Sequence, residues 1–334
     1  DVAAITGKTQ SAVTGFLLLG QDAVLDLDVG GTKVSKAGAA TIVELAGTSA
    51  GLIDLGAVEL YKSASEAVKV TNGEIAATEL TGFEHITTDT LKASRILGKD
   101  TIDQTSSYGA VELSTDAPTE AAALASAADL TINDSVTLTL NGMGETAVNL
   151  VQYKNDKVAA VTFNGAASKL VTKGNGVIGE VKGGDTTKGV LEVADKGLTV
   201  EGNVVAKDVI VGTTGTLTMG TVADATKAYT VNVANLTVDG TFAAAQNTVT
   251  IGTSIEVDGT ATIKTLDISA ATNAAVEGTL TVDTLTANTG KTMKVGRFDS
   301  ATNKDAAGTV SVANFSTAGT IDATRGRLRL LQWL

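Results

Sequence analysis

The chain contains no cysteine, which removes disulfides, thiolate nucleophiles and thiolate metal sites together. His85 is its only histidine, so no multi-histidine metal site can be assembled within one copy, and a structural role is expected for that residue. Aromatic residues make up 3% of the sequence, with Trp333 the single tryptophan. Glycan sites usually present aromatic platforms, so this scarcity argues against carbohydrate chemistry. Proline occurs once, at Pro118, and arginine only at positions 95, 297, 325, 327 and 329. No run approaches the roughly 18 apolar residues that a membrane-spanning helix needs. The longest early apolar patch, Phe-Leu-Leu-Leu at 16–19, stops at Gly20.

What is present points to β structure. Apolar residues are 43% of the chain, mean hydropathy is +0.19, and the apolar set is valine, alanine, leucine and isoleucine. Such a chain has enough burial potential to fold rather than remain disordered. Abundant threonine and valine, punctuated by 36 glycines, read as short strands joined by many turns. The formal net charge is −12. An acidic surface repels phosphates, so nucleic acid is not an expected partner. The same charge favours solubility and leaves room for cation-dependent assembly.

An internal repeat carries the fold prediction. A short alternating strand ending in glycine recurs as Leu-Thr-Val-Glu-Gly at 198–202, Leu-Thr-Val-Asp-Gly at 236–240, Ile-Glu-Val-Asp-Gly at 255–259 and Ala-Ala-Val-Glu-Gly at 274–278. Weaker copies end at Gly142, Gly165, Gly183, Gly220 and Gly296, giving a mean spacing near 19 residues. One coil of a three-sided β-helix holds about that many residues, with alternate side chains pointing inward. The expected fold is therefore all-β, a parallel β-helix (β-solenoid) with ~19-residue coils. Val200, Val238, Val257 and Val276 are expected in one interior column, with glycine supplying the backbone angles of the corner.

The N-terminal third is less regular. Strand-like pieces at 23–29, 40–45 and 51–56 resemble degraded coils, and Thr-Glu-Ala-Ala-Ala-Leu-Ala-Ser-Ala-Ala at 119–128 is a helix candidate. The predicted organisation is an irregular β-rich region over 1–128, a regular solenoid over 129–324, and a distinct C-terminal segment over 325–334. That last segment alternates Arg327 and Arg329 with Leu328 and Leu330 before reaching Trp333. It reads as a terminal cap, as a strand offered to a neighbouring copy through Arg325, Arg327, Arg329 and Trp333, or as a remnant foreign to the domain.

The coil pattern and the Thr/Val/Ala/Gly composition resemble bacterial surface-layer proteins and autotransporter-type β-helix passengers. Residues 80–87, Leu-Thr-Gly-Phe-Glu-His-Ile-Thr, are similar to strands that recur in β-solenoid surface-layer proteins, with His85 in place of a threonine. Residues 204–212, Val-Val-Ala-Lys-Asp-Val-Ile-Val-Gly, are similar to bactofilin-like cytoskeletal β-helices. The first resemblance implies an extracellular lattice or filament built from copies of the chain, often with calcium. The glycine-aspartate nonapeptides that bind calcium in such proteins are missing here.

Chemical motifs are sparse. Gly-Asn-Gly-Val-Ile-Gly at 174–179 matches G-x-G-x-x-G, but the Glu-Val-Lys-Gly-Gly-Asp that follows is a poor helix start for a dinucleotide site. Asp26 and Asp28 share one strand face and form the candidate cation pair; Ala37 at the twelfth position excludes an EF-hand. Threonine pairs at 248/250, 260/262 and 279/281 resemble the flat arrays of ice-binding solenoids, but the copy at Gly202 offers Asn-Val-Val instead. The expectation is a non-enzymatic structural subunit outside the cell, with no required cofactor. The alternatives are an adhesin stalk and, more remotely, an enzyme acting on acidic polysaccharides.

Overall fold

A computed structural model describes strand backbone in seven segments between Val24 and Leu97, and from Gly98 to Leu330 all residues except 104, 120–126, 221–226 and 300–303. Among the described residues there is no helix. The helix candidate at 119–128 lies mainly outside them. The architecture is all-β, a parallel β-helix: one sheet of 26 strands runs from Val43–Leu45 to Arg327–Leu330. Every strand pairing within that sheet is parallel.

Each coil has three sides. In the most regular stretch, 230–233 forms side A, 235–238 side B and 241–244 side C, and the next coil repeats the order at 248–251, 254–257 and 260–263. Side A stacks Leu130, Val161, Val181, Val204, Val231, Val249, Leu266, Leu285 and Phe315, one residue per coil. Side B stacks Leu140, Thr172, Val193, Val211, Val238, Val257, Val276 and Val295. Side C stacks Leu198, Leu217, Phe242, Ala261, Leu280, Val310 and Leu328. Except for Phe315 and Leu328, these alternating inward residues are almost fully buried, and the apolar ones among them form one continuous core. Each buried aliphatic side chain stabilises the fold by roughly 1.5–3 kcal/mol.

The register corrects one expectation. Val238, Val257 and Val276 do line up, 19 residues apart, but Val200 stands on side C between Ile178 and Met219. The glycine marks therefore fall at more than one corner. Excursions between strands set the phase: side B advances 19 residues from Val238 to Val257 but 27 from Val211 to Val238, where 221–226 intervene. A second correction concerns the corner glycines. Gly240, Gly259 and Gly278 are not among the residues with positive φ, although Gly142, Gly220 and Gly296 are. Gly259 is required for another reason: a Cβ there would overlap the Gly240 carbonyl of the coil before it. Further upstream, Val24–Leu27 pairs antiparallel with Val34–Ala37 instead of forming a coil, as strands joined by a short connection must.

Polar groups inside the coils are mostly satisfied. The Asn247 amide accepts from the Tyr229 N–H at 2.7 Å and donates to the Met219 carbonyl at 3.0 Å. The Ser168 hydroxyl donates to the Ile132 and Asn133 carbonyls. Thr172 differs. It sits in the side B column between Leu140 and Val193, and its buried hydroxyl has no partner. Thr172→Val keeps the shape and removes that hydroxyl, so it is expected to stabilise the protein by about 1 kcal/mol, read from denaturant unfolding at unchanged slope.

Tyr108 is the other polar intruder, stacked on Leu140 and nearly fully buried. Burial pushes its phenol up to about 12, helped by the Asp103 charge and opposed by a hydrogen bond with Ser106. The unfolded chain loses that proton near 10, the folded chain only near 12, so stability is retained below pH 10 and lost as pH rises towards 12. Burial also raises the phenol of Tyr153, which acts in the same direction. Alkaline unfolding curves are expected to show this slope, and Tyr108→Phe to flatten it.

Candidate interaction surface at the last coil

The outward positions of side C form two threonine-rich columns. One runs through Thr216, Thr241, Thr260, Thr279 and Thr309; the other through Thr218, Ala243, Thr262, Thr281 and Ser311. Such β-branched residues suit a flat, half-exposed sheet face. The pair at 248/250 belongs to side A, so the three threonine pairs noted in the sequence do not form one array.

Both columns end in arginine. Arg327 pairs with Thr309 and Arg329 with Ser311, while Leu328 and Leu330 continue the interior columns below Val310 and Val312. The last strand, Arg327–Leu330, is thus a genuine rung: the Arg327 N–H donates to the Gly308 carbonyl at 2.8 Å. Among the described residues, however, no further strand pairs beneath it. Leu328 is 40% exposed and Leu330 46%, whereas Val310 and Val312 directly above are 0% exposed. On side A, Phe315 is 42% exposed although Leu285 above it is buried. Among the described side chains the only other large exposed apolar residue is Met143. Three of the four large exposed apolar side chains described therefore lie in the last two described coils.

Arg325, Arg327 and Arg329 cluster around this end, and Trp333 lies outside the described residues. On side B, Asp322 accepts the Thr324 N–H at 3.1 Å. The side-chain and backbone hydrogen bonds from Thr324 hold its carboxyl below the usual 3.8, with Lys294 and Arg325 acting the same way. Asp26 lies on the strand Val24–Leu27, where it pairs with Ser35, and Asp28 lies outside the described residues. Among the described residues no three His, Cys, Asp or Glu side chains gather in a way that could hold a metal ion, and no helix is long and apolar enough to cross a membrane. Charged pairs bridge coils elsewhere: Lys169 reaches Glu192 of the next coil at 2.6 Å, and Lys182 reaches Asp129 two coils away at 3.0 Å.

The arginine alternation was visible in the sequence; the three exposed apolar residues were not singled out there. Alternation placed Leu328 and Leu330 in the inward phase of a strand, where burial is the ordinary expectation. Phe315 likewise looks like any buried position of side A.

The fold defines the class of molecule: a parallel β-solenoid. Comparison with protein-family models, with curated proteins and with solved structures finds no match to the chain.

The Asp322 geometry generates a pH prediction. Its depressed carboxyl contributes stability that is present above 3.8 and lost as pH falls through the lower folded value. Protection of the Thr324 and Arg327 amides, measured against the intrinsic exchange rate at each pH, is therefore expected to fall below pH 3.8 more than protection at Thr260. Asp322→Asn should abolish that difference; an equal fall in both proteins would contradict the assignment.

Proposed function

We propose that the chain is a structural subunit of a self-assembling extracellular layer or filament. One observation carries the reading. Parallel backbone hydrogen bonds join coil to coil in register, and among the described residues the inward-phase Phe315, Leu328 and Leu330 are exposed. Unpaired strand edges template pairing with another chain. Apolar residues exposed together in the inward phase of a coil suit a contact with another copy. The acidic flanks keep such a subunit soluble, and their repulsion gives divalent cations a route to influence lateral packing.

The contrasting adhesin reading makes the rod a spacer for a receptor-binding tip. Electron microscopy and light scattering of the purified chain, with and without calcium, separate the two. Sheets or fibres are expected. A monodisperse monomer that persists at high concentration in both conditions would favour the spacer.

A further inference from the structure

We infer that the threonine face of side C binds ice, the outward hydroxyl and methyl groups of successive coils matching the repeating oxygens of a crystalline water surface. The inference goes beyond the self-assembly reading and does not depend on it.

The face is the pair of outward columns that run from Thr216 to Thr309 and from Thr218 to Ser311. Coil stacking repeats each column about every 4.8 Å along the axis, and two residues of strand separate the columns by about 6.6 Å. Every position except Ala243 bears a hydroxyl, and each threonine adds a methyl group. The Asn-Val-Val that follows Gly202 does not interrupt this array. Val204 pairs with Val181 and Val231 on side A, whereas the side C strand of that coil, 197–199, stacks in register on 216–218.

The face differs from the other two sides in charge and in hydrogen bonding. From Thr216 to Ser311 neither column holds a charged residue, in a chain of formal net charge −12. The outward columns of side A include Lys182 and Asp267, and those of side B include Glu192, Glu256 and Lys294. On those sides several outward polar groups are taken up within the protein. The Asn235 amide donates to Asp208 at 2.6 Å and accepts from the Ser254 hydroxyl at 2.8 Å, and the Thr230 hydroxyl donates to Asn203 at 3.0 Å. Among the described residues, no hydroxyl of the side C columns between Thr216 and Ser311 has a protein partner. The platform beneath them is rigid. Leu217, Phe242, Ala261, Leu280 and Val310 fill the inward phase of the same strands and are at most 1% exposed, and a β-branched side chain has few rotamers to lose.

These properties select the ligand. A hydroxyl both donates and accepts, as each water of an ice surface does, and the methyl groups favour exchange of liquid water for a fixed contact. A neutral lattice of donors and acceptors fits another neutral lattice of the same kind. A mineral surface would call for charge and a glycan for aromatic platforms, and the columns hold neither beside their hydroxyls. Size disfavours a second copy of the chain. Five coils of four-residue strand present roughly 300 Å², against the roughly 800 Å² per partner that a stable protein interface buries. Ice needs no complementary shape beyond the repeat, so many weak contacts at fixed spacing act together.

The test uses the full 334-residue chain, pure ice as the probe, and variants checked for intact β structure by circular dichroism. Two readouts serve: the fraction of protein taken into a slowly growing ice hemisphere, and the gap between freezing and melting of a single ice crystal. Thr262→Lys with Thr281→Lys places charge in one side C column. Thr250→Lys with Thr286→Lys does the same in an outward column of side A, and Ala243→Thr completes the array. The wild type is expected to enter the ice and to open the gap. The side C lysines should lower the ice-bound fraction about tenfold, because their ammonium groups would lose hydration at the contact. The side A lysines should leave it unchanged, and Ala243→Thr should raise it.

Exclusion of the wild type from growing ice, with no gap, would overturn the inference. Equal losses from the side A and side C lysines would remove this face as the contact. Side C lysines that lower the mass seen by light scattering, with no ice uptake by the wild type, would assign the face to another copy of the chain and overturn the inference while leaving the self-assembly reading in place.

Discussion

Everything in this structure depends on in-register parallel pairing between successive coils. Parallel strands hydrogen-bond evenly along their length, and stacking at about 4.8 Å places equivalent residues directly over one another. The side chain at each position must then suit the same position in the coils above and below. Inward columns accept valine, leucine, isoleucine and alanine, and outward columns accept threonine and charge. The scarcity of aromatic residues follows from this: a narrow interior packs stacked aliphatic groups, and it encloses only a few rings, Tyr108, Phe163 and Phe242 among them. The corner glycines answer to the same constraint, since at Gly259 the limiting contact is the carbonyl of the neighbouring coil.

That constraint explains how much could be read beforehand. Leu-Thr-Val-Asp-Gly at 236–240 showed the inward and outward phases correctly: Leu236 and Val238 are buried, and Asp239 is exposed. The coil length near 19 was legible because the coils at Val238, Val257, Val276 and Val295 carry no excursion on side B. Val200 was misplaced because a strand ending in glycine marks any corner, and the sequence does not say which. Insertions such as the hairpin formed by Arg297–Asp299 and Lys304–Ala306 shift the phase without disturbing the stacking, since they lie outside the ladder. Local alternation is a property of each strand; the column a strand joins is a property of the whole coil. The antiparallel pair at Val24–Leu27 and Val34–Ala37 shows the same limit, because its alternation matches that of a coil strand.

The candidate surface was legible only by half. Its arginines stand out in an arginine-poor chain, and their alternation with leucine fixed them as outward residues of a strand. Exposure of Leu328, Leu330 and Phe315 could not be read from those residues, because it depends on what stacks against their coil and not on the strand's own alternation.

The central claim is the coil-by-coil stacking itself, and a distance measurement tests it most directly. The chain has no native cysteine, so spin labels can be attached cleanly at introduced cysteines. Thr199, Thr218, Ala243, Thr262, Thr281 and Ser311 occupy one outward column. Labels at Thr199 and Ser311, five steps apart, are predicted to give a backbone separation of about 24 Å, and labels at Thr199 and Thr281 about 19 Å. Distances that fail to grow by one coil spacing per step would contradict the account.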